Sequence, residues 1–510
     1  MMRSLKSVQF WVWMLVLIAS ALRVREFLAS RSLWLDEVAL LLQIKRRSYE
    51  ALLLNGVGGN QGAPAAYLLL SKLSLGQFSS LEFGARFAPL LAGIGTMVAS
   101  AWLVTISLRN TMTRILGLVL IGSSPWLIYY SAEGKHYMQE VLIALLLVCV
   151  SIRYEQGKIS LFLLGVLGML SVWFSHNAPT VLCACGALLF AKVAMGGDRT
   201  GAVRLLCIFC SWIVSFALHA STTMRALFGN RELYNHWGHG LAPWRKGVSA
   251  VVPWMGDVWG RLMEYAFIPA DLQSAIELLP SGSRATVDLV LLTLVVLGIV
   301  RMFRERSALA PYIPLILGVS FSLALLRISP FSSRLLLYVV PFLLLSAASG
   351  LTWLFEIVRD RGALLASVGV GAFIFVVGPS VALSTERFIR PFDRTDMKGA
   401  LRYLVGARSP GELVVMRRSD ATVATLYAKR DRSVQVPFLD ANWKIAKPRT
   451  MCARLRKKVL HAQDQQIWIV GVLKAAEVSG AVDAMERECA VVGDRFENGG
   501  FFAARLRLRR

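Results

Sequence analysis

Charge is scarce in this chain. Asp, Glu, Lys and Arg make up 17% of its 510 residues against 55% hydrophobic ones, and mean hydropathy is +0.55. That is too apolar for a soluble protein of ordinary usage, so the chain reads as a membrane protein. Acids are scarcer still, 32 against 56 basic residues, for a net charge of +24. Much of the excess lies in short basic clusters between apolar runs, where the bias of positive charge toward cytoplasmic loops explains it without a polyanion. Nucleic acid is therefore not an expected partner. Also missing are a Walker loop, a usable GxGxxG, an HExxH and a CxxC pair, and no nucleotide site is expected. Of the seven cysteines, Cys149, Cys183, Cys185, Cys207 and Cys210 fall in or beside apolar runs and read as small buried hydrophobes. Cys452 and Cys489 are the pair in a polar region, able to form a disulfide if that region faces an oxidising compartment.

Segments of roughly 17 or more apolar residues, enough to cross ~30 Å of hydrocarbon, lie near 8–28, 84–107, 114–130, 137–152, 159–174, 178–195, 205–222, 286–302, 309–326, 334–355 and 362–382. These give about eleven crossings. The opening MMRSLKSVQFWVWMLVLIASAL places Arg3 and Lys6 before an apolar core that is long and has no clean cleavage site, so it is expected to stay as the first helix. The stretch 64–75 is short, starts at a proline and carries Lys72, which favours a position along the membrane surface. The basic loops 109–114, 153–158, 192–204, 301–306 and 356–362 then share the cytoplasmic side with Arg3 and Lys6. The opposite face receives 29–83, 131–137, 175–179, 223–285, 327–334 and everything after about 384. From there ELVVMRRSD and QIWIVGVL read as buried strands and RTDMKGALRYLVGA as an amphipathic helix. The closing ARLRLRR reads as an edge strand or frayed tail, with contact to anionic headgroups as the alternative. The expected fold is a polytopic α-helical membrane protein with its transmembrane domain over 1–383 and extracytoplasmic loops at 29–83 and 223–285. A small C-terminal α/β extracytoplasmic domain follows over 384–510, the N-terminus lies in the cytoplasm, and the host is the cell's inner (plasma) membrane.

Polar residues of unusual chemistry collect on that outer face. Asp36 and Glu37 follow the first helix beside Trp34 and Leu35; desolvation at headgroup depth would make a better general base of a carboxylate. The alternative is that the acids cap the helix that begins there. A second constellation, 125–140, crowds Glu133, Lys135, His136 and Tyr137 into one turn. Snorkelling and an aromatic belt are the plain alternative for it. In a third, Arg327 and Arg334 bracket a Pro-Phe-Ser-Ser turn. A guanidinium there suits the phosphate of a lipid headgroup, or is an ordinary interfacial arginine. The loop 230–247, with Trp237, has the rings and amides that suit sugar binding or a membrane surface equally.

Taken in order, WLDE after the first helix, QGAPAAYLLLSKL, EFGARFAPLLAG, SPWLIYYSAEGKHYM, SHNAP and SPFSSRLLLYVVPFLLLSAASGL resemble the GT-C superfamily of membrane glycosyltransferases. The resemblance is to the group of protein O-mannosyltransferases, lipid A aminoarabinose transferases and RgtA/B/C/D-like transferases. It covers most of 10–350, and the tail resembles the outer domain of the RgtA-like branch. It implies an inverting transfer of a sugar from a polyprenyl-phosphate carrier to a glycan, lipid or protein acceptor, amid membrane lipids. On this resemblance Asp36, with Glu37 beside it, is the base, Glu133 the acid of the later turn, and Lys135 stands where relatives usually carry arginine. Arg334, with Arg327 near it, would approach the donor phosphate. Gln61, Tyr67, His136, Tyr137, His176 and Trp237 are the expected substrate contacts. Many relatives read His-Pro-Pro where this chain reads GAPAA, keeping Pro64 without the histidine, whose place Gln61 would take. No cofactor is required, and a divalent cation is left open. The competing classes are a transporter or lipid flippase, whose helix centres would carry polar residues, and a glycan ligase or polymerase using diphosphate-linked donors.

Overall fold

The computed structural model describes residues 2–268, 281–359, 363–391, 395–409, 412–428, 438–441, 452, 455, 466–472, 475–498 and 500–509. The chain divides into two compact units, Met1–Ala29 with Gln43–Pro391, and Ser30–Leu42 with Phe392–Arg510.

The first unit is helical. Its elements are α1 (Met2–Leu28), the end of α2 (Leu35–Arg46), α3 (Tyr49–Asn55), α4 (Ala65–Gln77), α5 (Leu81–Ser107), α6 (Thr111–Ser123), α7 (Pro125–Tyr130), α8 (Tyr137–Glu155), α9 (Leu161–Phe174), α10 (Ala178–Met195) and α11 (Arg199–Ser221). They continue with α12 (Arg231–His236), α13 (Val251–Phe267), α14 (Ser281–Arg304), α15 (Tyr312–Leu325), α16 (Val340–Arg359) and α17 (Ala363–Ile389). Eight helices among the described residues are long and apolar enough to cross a membrane, and three shorter apolar ones accompany them at Thr111–Ser123, Leu161–Phe174 and Tyr312–Leu325. The protein is a multi-pass membrane protein.

Local chemistry explains where these helices start. Asn110 Oδ1 accepts from the Thr113 amide at 3.0 Å, Ser160 Oγ from Leu163 at 3.2 Å and Asp198 Oδ1 from Gly201 at 2.8 Å, so three of the polar loops double as N-caps. Pro125 splits the expected crossing 114–130 into α6 and α7, because proline sits well at a helix start but cannot continue one. The expected crossing 334–355 opens instead as a 3-10 turn, Ser333–Val339, before α16 begins. The 13-residue α4 rises only about 20 Å and packs on α5, α3 and α9.

Small residues set the closest helix pair, α14 on α16. A β-carbon at Gly298 would land on the Ser346 carbonyl, and one at Gly350 on the carbonyl of Leu294. The two backbones approach so closely only because neither position has a side chain. Cysteine placement is partly corrected: Cys149 and Cys185 are buried, but Cys183, Cys207 and Cys210 are exposed on α10 and α11. An apolar helix need not bury its whole circumference in protein when lipid is its solvent.

The second unit holds a five-stranded sheet of order β2-β1-β3-β5-β4. Its strands are β1 (Leu413–Arg417), β2 (Phe438–Ala441), β3 (Ile467–Gly471), β4 (Ala490–Asn498) and β5 (Phe501–Leu508). β1 runs parallel to β2 and β3, and β5 is antiparallel to β3 and β4. Helices α18 (Met397–Ala407), α19 (Arg418–Ala428) and α20 (Ala475–Glu488) complete it. Every residue of β3 is buried, as its unbroken apolar run requires. Cys452 and Cys489 are joined in a disulfide within the core around Val415, Ile469 and Phe502.

Residues 504–508 of the closing ARLRLRR are neither edge strand nor frayed tail. β5 is an inner strand because Phe502, Ala504 and Leu506 alternate into the core, while Arg505 on the other face lies over the Trp468 ring and 3.5 Å from Glu412. The segment Ser30–Leu42 belongs to this unit through main-chain bonds: Leu33 N donates to Tyr427 Oη at 2.8 Å and Lys398 N to Ser32 Oγ at 3.0 Å.

Candidate active site

The α7–α8 turn is the most polar buried stretch of the first unit. Ser131 N donates to the Ile128 carbonyl at 3.1 Å to close α7, and Lys135 N to the Glu133 carbonyl at 2.6 Å tightens the chain around Gly134. All of residues 131–141 are buried, with Glu133 at 1%, Lys135 at 4% and His136 at 7% exposure. Charged groups withdrawn this far from water are costly unless other groups serve them, and several other parts of the unit converge on this turn.

The loop before α4 supplies Gln61, whose Oε1 accepts from Lys135 Nζ at 2.5 Å. α4 itself supplies Tyr67, buried and edge-on to the His136 ring at 5.9 Å. From the 3-10 turn before α16, the Arg334 guanidinium lies 5.6 Å from the Tyr137 ring centre and 5.2 Å from that of Trp237, which follows α12. A cation held over two rings is desolvated yet kept in place. α13 supplies Tyr265, stacked on Trp126 at 4.9 Å. Burial pushes the Tyr265 hydroxyl well above its ordinary range, Glu133 adding to the shift and Arg334 opposing it.

The turn between α9 and α10 closes the remaining side. His176 N donates to Glu140 Oε1 at 3.2 Å and Asn177 Nδ2 to Glu140 Oε2 at 2.8 Å, the same amide reaching the Leu335 carbonyl at 3.3 Å. The rings of His136, His176 and His219 follow one another at 5.6 and 5.7 Å. Burial pushes His176 down to about 3, helped by His219. His136 is held well below its ordinary value by burial first, then by His176, Lys135 and Arg334. Both imidazoles are therefore neutral at pH 7, and both cations lie within electrostatic reach of His136.

Of the residues expected from sequence, the structure thus gathers Gln61, Tyr67, Glu133, Lys135, His136, Tyr137, His176, Arg334 and Trp237 in the first unit. Arg327 is occupied differently: its Nε donates to the Tyr234 hydroxyl at 2.7 Å, and the rest of its guanidinium engages that hydroxyl and the Ala242 carbonyl. It ties the 234–242 loop to the end of α15. Asp36 and Glu37 belong to the second unit. There Glu37 Oε2 accepts from Trp34 N at 3.2 Å, the backward half of a capping box for α2, while Asp36 is half-buried. Sequence reading passes over Glu140, Asn177 and Tyr265. The available signal for Glu140 was its spacing, four residues after His136 on one helical face.

No protein-family model matches the sequence, and no curated protein matches it. Solved structures do. The Archaeoglobus fulgidus oligosaccharyltransferase is similar over 97% of this chain and 74% of its own, with a TM-score of 0.51 at 11% identity. The aminoarabinose transferase ArnT from Cupriavidus metallidurans, solved with undecaprenyl phosphate, is similar over 96% of this chain and 97% of its own, with a TM-score of 0.45 at 12% identity. The likeness to the oligosaccharyltransferase shows that this chain shares its fold, the fold that the sequence resemblance to GT-C transferases leads one to expect.

Proposed function

We propose that the protein is an inverting glycosyltransferase, moving a sugar from a polyprenyl-phosphate-linked donor to an acceptor hydroxyl at the extracytoplasmic face of the inner membrane. One observation carries the reading: Lys135 and Arg334, from separate elements, converge on the same buried turn among aromatic rings. A desolvated pair of cations suits a leaving phosphate, whose charge grows as the anomeric carbon–oxygen bond breaks. The lipid tail keeps such a donor in the bilayer, and its phosphate leaves with the bonding electron pair.

The base is assigned on the sequence resemblance. Asp36 takes the proton of the acceptor hydroxyl as its oxygen attacks the anomeric carbon. Glu37 stands beside it and caps α2. Glu133 orients the acceptor, Gln61 holds Lys135, and Tyr67, Tyr137 and Trp237 offer rings for the sugar. Arg327 serves the donor side through the loop it fastens.

The test is to incubate the purified protein in lipid with candidate polyprenyl-phosphate sugars and to follow released polyprenyl phosphate. Asp36→Asn is expected to lower release by about 10²–10⁴-fold, the usual worth of a general base, with insertion unchanged. Full activity in that variant would refute the base. Turnover only with diphosphate-linked oligosaccharides would make the protein a glycan ligase instead.

A further inference from the structure

His136, Glu140 and His176 offer one donor atom each, and those atoms lie within 4.8 Å of one another. His136 and Glu140 are one turn apart at the head of α8, with Nε2 and Oε1 separated by 3.7 Å; His176 reaches them from the α9–α10 turn. A simple hydrogen-bonded arrangement does not account for the set. The 3.7 Å separation of His136 Nε2 from the carboxylate is too long for a hydrogen bond, and His176 Nε2 is buried with no hydrogen-bond partner among the described residues. Buried imidazole nitrogens are seldom left so unless something other than protein uses them.

We propose that His136, Glu140 and His176 form a three-ligand site for a transition-series divalent cation, with zinc as the best match. Two imidazoles and one carboxylate suit zinc, cobalt or manganese, whereas calcium and magnesium prefer all-oxygen shells. Tetrahedral ligands at ~2.0–2.2 Å from zinc lie roughly 3.3–3.5 Å apart; the His136–Glu140 pair is close to that spacing at 3.7 Å, and the set as a whole, within 4.8 Å, must draw together around the ion. The carboxylate is already oriented, since the His176 amide and Asn177 hold its two oxygens, and such outer partners are what fix a metal ligand in place. Three protein ligands leave a fourth position for water or an oxygen of a bound molecule. The ion would pin the residue next to Lys135 to the α9–α10 turn. The site stands whether or not the transfer reaction does.

The experiment uses the full chain in detergent, freed of any affinity tag, stripped with chelator and titrated with Zn²⁺ and with Co²⁺. One zinc per chain by elemental analysis and visible cobalt d–d bands are expected. Glu140→Gln and His176→Ala should weaken binding at least 100-fold, and Asn177→Ala, which removes only the orienting amide, by roughly 10–100-fold. His176→Cys keeps a ligand and should add a thiolate-to-cobalt charge-transfer band that the parent protein lacks, a signature no folding defect produces. Failure of the parent chain to take up stoichiometric zinc, unchanged binding in all the variants, or a His176→Cys cobalt complex without the thiolate band would each overturn the site.

Discussion

Two acidic turns of this protein look alike in sequence and differ in structure. WLDE, at 34–37, follows one apolar helix, and AEGKH, at 132–136, follows another. The later turn is enclosed by groups from the loop before α4, the 3-10 turn before α16, the residue after α12 and α13, and its lysine has a specific partner in Gln61. The earlier turn opens a short helix in the second unit, and Glu37 spends an oxygen on capping it. A carboxylate pair in sequence is therefore two different residues in space, Glu37 buried with an oxygen on the local backbone and Asp36 half-buried beside it. The two arginines that bracket the Pro-Phe-Ser-Ser turn repeat the lesson. Arg327 ties loops together through Tyr234 and Ala242, whereas Arg334 lies between aromatic rings beside the buried turn.

Breaking the second turn should cost most. Lys135→Met is expected to cut transfer by roughly 10²–10³-fold, the worth of one preorganised donor to developing charge, as followed by release of polyprenyl phosphate. Glu37→Ala should leave the rate within a few-fold of the parent; a loss as large as that of Lys135→Met would abolish the distinction drawn between the turns. Gly298→Leu, remote from both turns, is expected to destabilise the detergent-solubilised protein by about 1–3 kcal/mol, because the α14–α16 approach has no room for a side chain. In thermal melts Glu37→Ala should itself lose about 1 kcal/mol through the missing cap.

The smallest expected effect sharpens the account of the enclosed turn. Tyr265 keeps its proton in the folded protein well above the ordinary value of 10.0. Above that pH the unfolded chain releases a proton that the folded one retains, so stability is intact below pH 10.0 and declines as pH rises beyond it. Tyr265→Phe should flatten this alkaline decline by at most ~1.4 kcal/mol per pH unit. An unchanged alkaline limb would mean that the hydroxyl is not enclosed as described.

Much of this was legible in the chain. Apolar runs marked the helices, because hydrocarbon demands long segments with internal hydrogen bonds, and the ordered polar turns carry the resemblance to the GT-C fold. The short apolar runs in ELVVM and QIWIV marked the buried strands β1 and β3. Pro125 marks in the sequence where one crossing splits, since proline cannot continue a helix. The placement of β5 between β3 and β4 was not readable, since an alternating strand looks the same at an edge and in the middle until its partners are known.

Sequence by itself determined that this is a multi-pass membrane protein with a small α/β region, and which carboxylates and cations are candidates for chemistry, because those depend on local composition and spacing. Only the tertiary structure decided which of them meet. Glu140 reaches His176 and Asn177 across 36 and 37 residues, and Lys135 reaches Gln61 across 74. Contacts over such spans are fixed by how helices pack, and helix packing is a property of faces that no single stretch of sequence contains.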